Sequence, residues 1–160
     1  MTVVVGVGDC CVTSDPERVL VTFALGSCVG LAVHDPVAHV GGLLHFMLPA
    51  APAGAIESGK SPWMYADSGI PLLFRATYEH GAQKNRLRVH AAGGARMMDE
   101  SAVFNIGQRN LVALRRILWK AGIMLNAEAT GGADARTMRL EIASGRVFLR
   151  SPGDSAEKEL

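Results

Sequence analysis

The spacing of apolar and polar residues changes along this chain, and each change marks an element. Residues 3–7 are a β-branched run. Residues 18–24 alternate, with Val19, Val21 and Phe23 on one face and Leu20, Thr22 and Ala24 on the other. That period of two is the signature of a strand. Gly26 interrupts the run, residues 29–34 read as the next strand, and Asp35-Pro36 reads as a turn. Gly41-Gly42 opens another apolar stretch, which Pro49 stops. Residues 50–66 are rich in Ala, Pro, Gly and Ser and predict a long loop of the kind that often carries function.

The period then lengthens. Residues 68–81 predict a helix with Ile70, Leu73, Phe74 and Tyr78 on one face and Pro71 in its first turn, where a missing N–H costs little. Residues 86–92 return to alternation, with Leu87, Val89 and Ala91 inward and Arg86, Arg88 and His90 outward. Residues 105–121 give the strongest helix, with Leu111, Leu114, Leu118 and Ala121 inward, Arg109, Arg116 and Lys120 outward, and Gly122 placed to end it. A short apolar run spans 123–128. Residues 137–143 and 146–150 alternate on either side of Ser144-Gly145, the mark of a hairpin. The pattern predicts a mixed α+β fold, without regular βαβ repetition and without an internal linker. It reads as one domain over residues 1–160, with 151–160 as a flexible polar tail.

Composition narrows the function classes. The chain has 160 residues, 49% hydrophobic and 19% charged, which is ample for a packed core. A net charge of +1 supplies no field for nucleic acid. The apolar runs are broken within about ten residues, well short of the roughly 20 that span a bilayer. Residues 1–12 lack the Lys or Arg of a signal peptide, so a cytoplasmic protein without membrane insertion is expected. The 3 cysteines are Cys10, Cys11 and Cys28. An odd count with an adjacent pair is no disulfide framework, and no CxxC occurs.

Two residues carry candidate chemistry. Cys28 follows Leu25-Gly26-Ser27 between two strand-like runs. Gly26 lets the backbone bend, and the N–H groups around Gly26 and Ser27 are candidates to bind a developing oxyanion. A thiol needs a base to become a nucleophile, and His45, on the strand after the Asp35-Pro36 turn, is the best placed. Thr22 can orient that imidazole, the third role in a triad. Each residue also has a plainer reading. A free Cys is most often a small buried hydrophobe, a lone His within an apolar strand is commonly bonded to a backbone carbonyl, and Thr is simply a good strand residue. His34 and His39 flank a turn and read as solvated. Together with His45 they match no familiar ligand spacing, so no metal or cofactor is expected. Cys10 and Cys11 read as incidental thiols in a turn. Trp63, Met64 and Tyr65 read equally as core or as a surface for a partner helix.

The ordered blocks resemble a known family. Thr22-Phe-Ala-Leu-Gly-Ser-Cys28-Val-Gly, His34-Asp-Pro36 and Gly41-Gly-Leu-Leu-His45-Phe-Met-Leu-Pro49 resemble the CheD chemoreceptor glutamine deamidases. The order continues through Tyr65-Ala-Asp67, Gly93-Gly-Ala95-Arg-Met97, Ile106-Gly-Gln-Arg-Asn110, Gly131-Gly132, Arg136 and Gly145-Arg-Val147. The resemblance implies a layered, sandwich-like core of mixed β-sheets flanked by helices, similar to the catalytic domain of the cytotoxic necrotising toxins. It implies a protein-glutamine glutaminase, a hydrolase of carbon–nitrogen bonds that converts chemoreceptor glutamines to glutamate and releases ammonia. By the same resemblance Cys28 is the nucleophile, His45 the base and Thr22 its orienting residue. The implied partners are the cytoplasmic domains of methyl-accepting chemotaxis receptors and, in some members, a CheC-type phosphatase of phosphorylated CheY. A regulatory module that stimulates such a phosphatase is the alternative function. The chain departs from the family pattern at His90, Ala92 and Ala129, none of which belongs to the triad.

Overall fold

The computed structural model describes residues 1–97 and 104–160. Among the described residues, ten strands form two five-stranded sheets. The first sheet holds β1 (Thr2–Val4), β3 (Val19–Leu25), β8 (Arg136–Glu141), β9 (Val147–Arg150) and β10 (Lys158–Glu159), in that spatial order. The second runs β2 (Asp9–Thr13), β5 (Val40–Phe46), β4 (Val29–Asp35), β6 (Arg88–Gly93) and β7 (Ala127–Thr130). The pairs β1–β3 and β6–β7 are parallel, and the other neighbours are antiparallel. Two helices, α1 (Ala66–Glu79) and α2 (Ile106–Ala121), cover the outer face of the second sheet. The expected mixed α+β fold with layered sheets and flanking helices is what the chain adopts.

The layers explain the sequence pattern. Every residue of β4 and β5 is buried, because the second sheet is covered on both faces and its strands read as near-continuous apolar runs. Val29, Leu31, Val33, Leu44 and Phe46 pack with Ile70, Leu73, Phe74, Leu111, Leu114 and Leu118 of the helices. Ala32 and Leu43 point the other way, into a second cluster with Leu20, Leu25, Met138, Leu140 and Ile142 of the first sheet. Burying each such aliphatic side chain is worth about 1.5–3 kcal/mol, so two clusters hold the three layers together.

Both helices form where the period predicts them. Asn105 caps α2 by accepting from the Gln108 N–H, and Gly122 ends it in the left-handed conformation. The first helix starts two residues earlier than expected, which moves Pro71 out of the first turn. The 3-10 turn Pro62–Met64 precedes it, and Trp63 and Tyr65 belong to the core side of this junction.

Five local expectations are corrected. Cys10 and Cys11 lie in β2, paired with Leu44 and Leu43, not in a turn. His34 is buried, not solvated. On β6 only Val89 and Ala91 meet the helices, while Ala92 meets the first sheet and His90 is half-buried, because alternation on a doubly covered sheet separates two interiors and not core from water. Arg86, expected to face outward, pairs with the fully buried Asp35 at 2.8 Å. The segment after Ser151, expected to fray, turns back onto the first sheet: Ser151 N–H donates to Asp154, β10 pairs with β9, and Leu160 N–H donates to the Val147 carbonyl. Ion pairs from Arg139 to Glu157 and from Arg146 to Glu159 accompany that return. Polar composition hid it, because an edge strand needs only backbone groups and a few charge partners.

Candidate active site

The β4–β5 hairpin sets the site. Its register places Gly30 directly opposite His45. Cys28, two residues before Gly30, is then diagonal to His45 on the face toward the first sheet. Diagonal neighbours across an antiparallel pair lie roughly 7–8 Å apart at the backbone, within reach of long side chains. Gly30 has no side chain to fill the gap between them. A Cβ there would meet Leu25 and Met138 from the opposing sheet, so the same glycine also lets the sheets close over the imidazole.

Thr22 comes from that opposing sheet. It sits on β3 opposite Met138, immediately before a register shift that runs to Leu25. This bulge breaks the expected alternation. Leu20 and Thr22 point inward as read, but Ala24 takes a positive φ of 57° and is exposed, and Leu25 replaces it in the interior. Bulges re-aim side chains and recur beside functional sites. Here the bulge also delivers the chain to Gly26, Ser27 and Cys28.

The Thr22 hydroxyl fixes the state of the histidine. Its Oγ1 lies 2.7 Å from the Val5 carbonyl oxygen and 2.7 Å from His45 Nδ1. A carbonyl only accepts and the hydroxyl has one proton, so Thr22 donates to Val5 and accepts from Nδ1–H. That places the imidazole lone pair on Nε2. Nε2 is buried and has no hydrogen-bond partner among the described residues. Burial holds the His45 pKa down to about 4, so the ring is neutral at neutral pH. The tautomer is therefore the one a general base needs, with its basic nitrogen unoccupied.

Cys28 is half-buried and packs at the edge of the inter-sheet cluster. Burial raises its pKa, and its own backbone N–H works in the opposite direction. The resting site is thus a neutral thiol on the same sheet face as a neutral imidazole, with no hydrogen bond between them, which differs from the low-pKa thiolate that reactive cysteines often show. Deprotonation must accompany attack. Cys10 is raised further, to about 12, chiefly by burial.

The nucleophile loop is held by its carbonyls. Gly26 O accepts from Ala95 N–H and Cys28 O from Gly94 N–H, both at 2.8 Å. Ser27 O accepts from the Asn110 side chain at 2.9 Å. Across a trans peptide the C=O of one residue and the N–H of the next point in opposite directions. The Ser27 and Cys28 N–H groups therefore face away from these anchors, and among the described residues neither donates to a backbone carbonyl. Of the two oxyanion candidates named from sequence, Ser27 has its N–H to offer, whereas Gly26 N–H donates to the Ala24 carbonyl at 2.9 Å and is taken. Gly93 takes φ 107°, and a Cβ there would collide with the Cys28 carbonyl, so only glycine permits this approach.

The structure thus joins Thr22 and His45 directly and sets Cys28 on the same face. Sequence reading missed two contributors. The Val5 carbonyl is main chain and has no side-chain signature. Asn110 left a signal: it is a polar residue on the otherwise apolar buried stripe of α2.

The site brings a thiol, an imidazole of defined tautomer and a hydroxyl bonded to it to one end of a two-sheet sandwich. The family model described as CheD chemotactic sensory transduction matches residues 47–151. The chain is 54% identical to the probable chemoreceptor glutamine deamidase CheD of Solibacter usitatus, over 97% of this chain and 92% of that protein. It is 46% identical to the probable chemoreceptor glutamine deamidase CheD 1 of Syntrophus aciditrophicus, over 94% of each. The chain belongs to the CheD family. Among solved structures, a Neisseria meningitidis protein matching the DUF152 family model overlays with a TM-score of 0.45 at 9% identity, covering 81% of this chain and 62% of that one. No helix among the described residues is long and apolar enough to cross a membrane.

Proposed function

We propose that this chain is a protein-glutamine deamidase of bacterial chemotaxis, hydrolysing chemoreceptor glutamine side chains to glutamate with release of ammonia through Cys28, His45 and Thr22. The names of its relatives support the substrate class. The observation that carries the mechanism is the Val5–Thr22–His45 chain of hydrogen bonds, which leaves Nε2 as the free basic nitrogen on the sheet face that also carries Cys28.

In this reading His45 Nε2 takes the Cys28 proton as sulfur attacks the glutamine side-chain carbonyl. The Ser27 and Cys28 N–H groups hold the oxyanion, each such donor being worth about 3 kcal/mol in comparable sites. Nδ1–H stays bonded to Thr22, which steadies the imidazolium as it forms. The imidazolium gives its proton to the departing ammonia. Water, activated by the same Nε2, then cleaves the thioester, and glutamate leaves on the receptor. Because the thioester is common to amide and ester substrates, a receptor glutamyl methyl ester would pass through the same intermediate.

The test is mass spectrometry of a receptor cytoplasmic fragment after incubation with the protein. The expected result is conversion of discrete glutamines to glutamate, with ammonia in equal amount. A fragment left unchanged by folded protein, across the receptors of the source organism, would refute the reading.

A further inference from the structure

Asn110 stands outside the triad but touches both halves of the site. It lies on the inward face near the start of α2, on the opposite side of the second sheet from His45, and is fully buried. Its Nδ2 donates to the Ser27 carbonyl and to the Met47 carbonyl, each at 2.9 Å. Both partners are pure acceptors, so the orientation of the amide is fixed: the NH2 must face them. Its Oδ1 is buried with no donor among the described residues. A buried carbonyl oxygen left unpaired is destabilising. A polar residue retained at that cost on an apolar helix stripe points to a role for its two donors.

Those donors bridge two defined points. Ser27 immediately precedes the nucleophile, and Met47 is two residues beyond the base. By the β4–β5 register, continued beyond its last pair, position 28 falls opposite position 47. Asn110 therefore ties the strand entrance carrying Cys28 to the strand exit that follows His45. The peptide joining Ser27 to Cys28 has its C=O on Asn110, which directs its N–H the other way, to the side of the thiol. Gly107, one turn earlier on the same helix, is in close contact with the Gly94 and Ala95 carbonyls. The amides of those two residues hold Cys28 O and Gly26 O. One helix end thus governs three successive peptide orientations, and Asn110 sets the middle one.

We infer that Asn110 is a positioning residue: its bridge from Ser27 to Met47 holds the Cys28 N–H aimed at the oxyanion formed during acyl transfer. This rests on the thiol-hydrolase reading of the site but not on the receptor as substrate.

Two rates measured on Asn110→Ala test it. Acylation of Cys28 by p-nitrophenyl acetate passes through an oxyanion and needs no receptor. Alkylation of Cys28 by iodoacetamide needs the same thiol and forms no oxyanion. Acylation should slow by on the order of 10- to 100-fold, less than the roughly 100- to 1000-fold that follows loss of a whole oxyanion donor because the N–H is misaimed and not removed, while alkylation changes less than about threefold. With a receptor fragment, kcat should fall by the same factor at unchanged KM. Equal acylation rates in variant and parent would overturn the inference. So would acylation and alkylation falling together, which marks a general loss of the loop. If Asn110→Ala does not fold, Asn110→Ser takes the same pair of measurements. A parent protein that is acylated by the ester but leaves receptor glutamines intact would defeat the substrate assignment and leave the Asn110 result standing.

Discussion

His34 and His45 invite comparison. Both are buried on the face of the second sheet that meets the first, His34 on β4 near the Asp35 turn and His45 on β5 at the opposite end. Both have one ring nitrogen bonded and the other unpartnered among the described residues. Burial lowers both pKa values. The difference lies in the neighbours. His34 Nε2–H donates to the Ile142 carbonyl at 2.8 Å, and its ring fills the space against Gly145 so closely that a Cβ there would collide with it. His45 is bonded to a hydroxyl that is itself anchored, and its free nitrogen shares a face with a thiol. The first is a core histidine bonded to main chain. The second has the arrangement that the proposed mechanism uses. A perturbed pKa accompanies both, so the shift alone does not distinguish a site, and the neighbours do.

The Asp35 turn extends the contrast. The Asp35 carboxylate accepts from Val37, Ala38 and Gln83 N–H and from Arg86. Burial alone would raise its pKa, yet the Arg86 and backbone donors hold it well below the usual carboxylate range. The Asp35 carboxylate is saturated with donors, which serves stability. The Cys28 end keeps a basic nitrogen and an asparagine oxygen unpartnered, and two amides that donate to no backbone carbonyl, among the described residues.

Four measurements press on this comparison. The largest effect should come from the histidines themselves. His45→Gln should lower kcat on a receptor fragment by about 10³-fold, the loss expected of a general base, whereas His34→Gln should stay within a few-fold of the parent. Comparable losses in both would erase the distinction.

Next is Arg86→Ala, which leaves Asp35 buried without its cation. Stability in urea should fall by about 3 kcal/mol, and kcat of the folded variant should not change. A fall in kcat would mean the Asp35 end also serves the reaction.

The pH dependence follows from His45. Its pKa is about 4 when folded against 6.5 when free, so between these values the unfolded chain binds the proton and the native state does not. Stability must drop as pH falls through that window, by up to about 3 kcal/mol for the full difference. His34 and His90 shift in the same direction and add to the slope. Urea midpoints from pH 7 to pH 4 should therefore show a shallower fall in His45→Gln than in the parent. An unchanged slope would place the His45 pKa near its ordinary value.

The smallest effect is expected at Thr22. Thr22→Val keeps the shape and removes the acceptor for Nδ1–H. It should reduce kcat by about tenfold, roughly 1.4 kcal/mol, and Thr22→Ser should recover most of it. No recovery in Thr22→Ser would assign the loss to packing.

Much of this was legible in the sequence. The 3.6-residue period located both helices, and alternation located β3, β4, β6 and the β8–β9 hairpin. Thr22, Cys28 and His45 stood out by residue type and order. Other features were not legible because they depend on main chain or on tertiary layers. The Val5 carbonyl has no signature at all. The bulge that exposes Ala24 is invisible to alternation, which assumes a regular pleat. His34 read as solvated because it borders a turn, and only the second sheet packed over it reveals otherwise. The Asp35–Arg86 pair joins residues far apart in sequence, so neither predicted the other.

The most direct test of the central claim is ammonia release from a receptor fragment by the parent protein and by Cys28→Ala and Cys28→Ser, with unfolding midpoints confirming that all three are folded. The account predicts release by the parent and none above background from either variant, because it routes acyl transfer through the Cys28 sulfur alone; Cys11, which lies diagonal to His45 on the same face from β2, does not substitute for it. Release by folded Cys28→Ala at the parent rate would contradict it.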